Sequence, residues 1–77
     1  MKKFDIKYAV KGKQFDLNIR AKSDSVIKGV YYSLYMHGVW LANIYKTGME
    51  QYKALSYTSA FHQHELEAIG RQIDLVN

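Results

Sequence analysis

The chain has 77 residues, no cysteine, no proline and a formal net charge of +4. A chain of that length makes one domain that buries only about 60% of its unfolded surface, and the missing cysteines exclude disulfide staples, thiol chemistry and cysteine-ligated zinc. Charge is placed unevenly: residues 1–28 carry eight Lys or Arg against three Asp, while residues 29–77 carry three against four Asp or Glu, so the basic part points to an anionic partner.

The first twenty residues alternate with period two. Phe4, Ile6, Tyr8 and Val10 share one face, then Phe15, Leu17 and Ile19 share one face of a second run. Lys11 and Gly12 between them read as a two-residue turn in which glycine supplies the positive φ. Such a loop pairs Val10 with Lys13, Tyr8 with Phe15, Ile6 with Leu17 and Phe4 with Ile19. On the other face it pairs Lys7 with Asp16 and Asp5 with Asn18. The apolar pairs then make one core face, which assigns Phe4, Tyr8 and Phe15 to the core rather than to stacking on bases.

Ser23, Asp24 and Ser25 can each cap a helix start. On a helical wheel residues 25–37 place Val26, Ile27, Val30, Tyr31 and Leu34 in one apolar sector, so a helix is expected there, with Gly38 as its stop. Residues 39–45, VWLANIY, are β-branched, aromatic and uncharged, and read as a well-covered strand. KTG at 46–48 makes a turn, and a fourth strand is expected near 52–57. A closing helix follows, capped by Thr58 or Ser59, with Phe61, Leu66, Ile69, Ile73 and Val76 on its buried side. The expected order is β-β-α-β-(β)-α, a single α+β domain over residues 1–77: a two-layer sandwich with a small antiparallel sheet.

Two surfaces are candidates for binding. If residues 25–37 are helical, Lys28, Tyr32, Tyr35 and Met36 lie on the side away from Val30 and Leu34, and tyrosine and methionine suit an interface. The competing reading has the last helix cover that side and make it core. The second surface is basic: Lys7 and Arg20 on the polar face of the hairpin, with Lys11 and Lys13 at its tip, could steer an acidic partner or follow phosphates. Asp5 and Asp16 share that face and blunt a phosphate track. The stretch HQHELE holds His62, His64, Glu65 and Glu67, but two histidines at i, i+2 of a helix diverge and supply no metal pair. Neither a nucleophile–base pair nor a glycine-rich phosphate loop is specified, so no catalytic residue, metal or cofactor is expected. Lys2 and Lys3 precede no apolar segment, and the uncharged run 29–45 is too polar for a membrane span, so a cytoplasmic protein is expected.

The hairpin KFDIKYAVKGKQFDLNIRAKS, the start SDSVIKG and the strand VWLANIY together resemble, over residues 3–45, the small phage-encoded anti-CRISPR proteins that inhibit bacterial defence complexes. That resemblance concerns architecture and implies a non-enzymatic inhibitor that occupies the surface of a bacterial protein or ribonucleoprotein complex. It carries over no site residue. Two alternatives stay open beside it: a small basic nucleic-acid-binding protein, and a structural homodimer.

Overall fold

The computed structural model describes residues 2–10, 12–24, 29–49, 51–55 and 61–76. They form five strands and one helix: β1 (Lys2–Val10), β2 (Lys13–Asp24), β3 (Gly29–Met36), β4 (Val39–Gly48), β5 (Gln51–Ala54) and α1 (Gln63–Val76). The strands make one antiparallel sheet in the order β1-β2-β3-β4-β5, each pairing with its neighbour in sequence. The helix lies on one side of it, so the α+β class and the antiparallel sheet are as expected.

The β1–β2 hairpin has the register read from its alternation: Phe4 opposes Ile19, Ile6 opposes Leu17, Tyr8 opposes Phe15, and Val10 opposes Lys13. Gly12 has φ +78°, the conformation for which glycine is suited at this turn. The strand expected at 39–45 is present and runs on to Gly48, through the residues expected to turn. The strand expected near 52–57 is β5, over Gln51–Ala54, and Leu55 N–H donates to Asn43 O at 2.9 Å beyond it.

The helix expected over 25–37 does not form across residues 29–36. Residues 29–36 are strand β3, paired on both sides, while 25–28, with Lys28, lie outside the described residues. Val30 and Leu34, four apart, satisfy a period of two as well as one of 3.6, so they could not decide between the two. The tyrosines decide it, because aromatic and β-branched side chains fit a pleated surface better than a helix. Gly38 is consequently no helix stop. His37 and Gly38, at φ +51° and +80°, close a two-residue hairpin between Met36 and Val39, with the positive φ at both positions that a type I′ turn requires.

One face of the sheet meets α1. Ile6, Tyr8, Leu17, Ile19, Leu34, Ala42, Ile44 and Tyr52 from the strands pack with Leu66, Ile69 and Ile73 from the helix. Val76, expected on the buried side, is exposed. The caps expected at Thr58 and Ser59 lie outside the described residues. The helix begins instead beyond His62, whose backbone N–H donates to Glu65 Oε1 at 2.8 Å, half of a capping box.

Helix α1 contacts both β1 and β5, the two edges of the sheet, so the sheet curves around it. A tyrosine–carboxylate bond fixes each edge. Tyr8 of β1 donates its hydroxyl to Glu65 in the first turn of α1. Tyr52 of β5 donates to Asp74 Oδ1 at 2.8 Å near the last turn, where Lys46 joins the same oxygen at 3.2 Å. Burial, reinforced by the carboxylate, raises both phenols well above the usual range. The His62 backbone N–H, and then the Tyr8 hydroxyl, hold the Glu65 carboxyl below its ordinary value. Gly70 faces the Tyr52 ring with no room for a methyl group between them.

Candidate binding face on the open side of the sheet

Side chains of the opposite parity face away from α1. Register sets them in rows that cross the sheet. Lys22, Tyr31, Tyr45 and Lys53 form one row. Lys3, Arg20, Ser33 and Asn43 form the next, and Asp5, Asn18, Tyr35 and Trp40 the third. Lys7 and Asp16 pair beyond it, next to a groove that Asp5, Asn18, His37 and Gly38 also line. Neighbours within a row are one strand spacing apart, about 4.8 Å, and successive rows stand about 7 Å apart.

A β-bulge gives the third row its tryptophan. Leu34 opposes Ala42, yet Tyr35 opposes Trp40, so Leu41 is the extra residue in β4. Unbroken alternation would have put Trp40 on the parity of Ala42 and Ile44, under the helix. The bulge turns it outward, where 49% of its surface is exposed.

Hydrogen bonds and stacking hold these side chains. Asn43 Oδ1 accepts from Trp40 Nε1 at 2.9 Å and from Ser33 Oγ at 2.7 Å. Ser33 is fully buried although it faces away from α1, so the larger side chains of the open face roof it over. The Arg20 guanidinium lies 4.1 Å from the centroid of the Tyr35 ring, a cation–π stack. Arg20 Nε donates to Asn18 Oδ1 at 3.2 Å, and Asn18 Nδ2 donates to Asp5 Oδ1 at 3.0 Å. Asp5 thus orients Asn18, and Asn18 holds Arg20 on Tyr35. The result is a fixed aromatic surface carrying Lys3, Lys7, Arg20, Lys22 and Lys53 against Asp5 and Asp16.

The two expected surfaces are redistributed by this geometry. Tyr35 and Arg20 come together at the centre of the open face, with Lys7 toward one end. Tyr32 and Met36 have the other parity: they pack against the core, and the Tyr32 and Tyr52 rings lie 6.2 Å apart. The Tyr32, Tyr35 and Met36 patch is therefore divided between two faces, because consecutive side chains of a strand alternate. Lys13 opposes Val10 at the hairpin end, and Lys11 lies outside the described residues. Tyr8 is core, as read, and Phe4 packs against the core. Tyr31, expected in the core with Leu34, lies on the open face instead, and Trp40, Asn43 and Tyr45 were expected only as parts of a strand. The signal for Tyr31 and Tyr45 was the odd parity of a strand at 29–36, and Trp40 had none short of the bulge.

The histidines of HQHELE are stacked, with ring centroids 5.7 Å apart, since His62 precedes the helix instead of lying within it. Among the described residues no three His, Asp or Glu side chains gather in a way that could hold a metal ion. No described helix is long and apolar enough to cross a membrane. No family model matches the chain, and neither a curated protein nor a solved structure matches it.

Proposed function

We propose that this chain is a non-enzymatic binding protein that acts by occupying its partner with the open face of the sheet. The observation that carries this reading is the fixed Arg20–Tyr35 and Trp40–Asn43 arrangement on a face that the protein's own helix leaves uncovered. Solvated sheet faces are ordinarily polar. Tyrosine, tryptophan and arginine are the residues in which contact energy concentrates, and here neighbours on the same sheet already order them, which lowers the entropy lost on binding. Inhibition of a bacterial complex by such occupation, inside the bacterial cytoplasm, is the setting that the sequence resemblance implies, and we retain it as part of the proposal.

The test compares the tagged wild type, the double variant Tyr35→Ser/Trp40→Ser and a control with changes on exposed helix positions, Arg71→Ser/Gln72→Ser. Each is first shown to be folded and then incubated with bacterial lysate, and protein and nucleic acid recovered are both measured. The reading expects the face variant to lose what wild type and control retain. Equal recovery by all three would remove the open face as the working surface.

A further inference from the structure

Resting on that reading of the open face, we infer that its occupant is single-stranded nucleic acid. The three rows supply what a single strand needs, in the order it needs it. Tyr31 and Tyr45 make one aromatic platform and Tyr35 and Trp40 another, with the Ser33–Asn43 row between them. The platforms stand two rows apart, about 14 Å, comparable to the reach of two nucleotide repeats of an extended strand. Each can stack an unpaired base, and stacking on aromatic rings tolerates any base. Between them, Asn43 and Arg20 present polar groups to the edge of an intervening base.

The cations are placed for phosphates. Lys22 and Lys53 end the row of the first platform, and Lys3 and Arg20 continue the polar row toward β1. The chain as a whole carries +4. A duplex keeps its bases stacked inside and presents nothing for the two platforms to stack on. A second copy docked face to face would bring these cations together. An acidic protein surface matches the charge but has no use for two platforms at this interval, so it is the competitor that the experiment must separate.

Trp40 is the sole tryptophan, so its emission reports stacking directly. A fluorescein-labelled single-stranded dT 12-mer, an rU 12-mer and a duplex of equal length are titrated with the full chain, reading anisotropy; unlabelled strands are titrated reading tryptophan emission. Binding of the single strands with quenching of Trp40, and weaker binding of the duplex, is expected. Three or four phosphate contacts would weaken single-strand binding roughly 20- to 50-fold between 50 and 200 mM salt. Trp40→Leu and Tyr45→Leu, which keep an apolar side chain, should each weaken it about tenfold or more.

The two failures are distinguishable. If no oligonucleotide binds at 50 mM salt while the Tyr35/Trp40 variant still loses a lysate protein, the inference falls and the open-face reading stands with a protein partner. If no oligonucleotide binds and that variant retains everything, both fall. Equal binding of duplex and single strand, unaffected by Trp40→Leu, would show charge acting without stacking and would also overturn the inference.

Discussion

The two faces of one sheet obey different rules. Toward α1 the buried strand residues are Ile, Leu and Ala with Tyr8 and Tyr52, each of which gives its hydroxyl to a helix carboxylate, and Phe4, Tyr32 and Met36 pack beside them. Away from α1 the Trp40 ring is held by Asn43 and the Tyr35 ring by Arg20, and both are left partly in solvent. Aromatic residues on the first face add buried area to a small core that needs it. On the second they add little to the core, so their cost in exposed apolar surface asks for another explanation, which the proposed binding would supply. Stability should therefore be concentrated on one face and recognition on the other.

The largest expected effect comes from the helix face. Ile69 is fully buried at the centre of α1, and Ile69→Ala should cost about 2–5 kcal/mol, a large share of the stability of so small a domain, measured by urea unfolding. Gly70→Ala comes next. Its methyl must displace the Tyr52 ring, at a cost of about 1–3 kcal/mol for overpacking, partly offset by alanine's helix propensity of about 1 kcal/mol. A stabilised Gly70→Ala protein would mean that the helix does not press on Tyr52.

The pH dependence sharpens the contrast, because all the clamping groups lie on the helix face. Tyr8 and Tyr52 have raised values in the fold, so the stability they confer is whole below the unfolded value of about 10 and is lost as pH rises through the folded ones. Glu65 is lowered in the fold, so its contribution is present above about pH 4.3 and is lost as pH falls through its folded value. Melting temperature should thus fall at both extremes. Tyr52→Phe should soften the alkaline limb, Glu65→Gln the acid one. The smallest expected effect on stability is that of Tyr35→Ser/Trp40→Ser, about 1 kcal/mol or less in the same urea experiment, with loss of binding. A loss comparable to that of Ile69→Ala would break the comparison and make the open face structural.

How much of this was legible follows from how many constraints each segment carried. The β1–β2 hairpin had an alternation on both strands and a glycine at the turn, and only one register satisfied all three. Segment 29–36 had a four-residue spacing common to both periods, preceded by Ser23-Asp24-Ser25, which imitates a helix cap. Its strand was hidden by an ambiguity of number rather than by a lack of signal. With β3 misread, the parity of Tyr31 and Tyr35 was lost, and with it the open face. Trp40 is a different case. A bulge is decided by how two strands fit together, and the one-residue offset at Leu41 arises from the pairing of β3 with β4. The helix-side core was legible because burial demands apolar residues. The open face was not, because no described element packs on it.

The clamp at both sheet edges has a consequence for the order of events in folding. Every strand pairs with the one beside it in sequence, so the sheet closes through short loops at small entropic cost. The Tyr8–Glu65 bond joins residues 57 apart and requires the far edge to be in place already. Docking of α1 is then expected to be the late, committing step. Conservative truncations in the helix, such as Ile69→Val, should accelerate unfolding in stopped-flow experiments while leaving the folding rate nearly unchanged, whereas Leu17→Ala in the first hairpin should slow folding. A molecule built in that sequence has the rows of its open face aligned before the helix locks them, so the latch on one side of the sheet sets how long the other side keeps its shape.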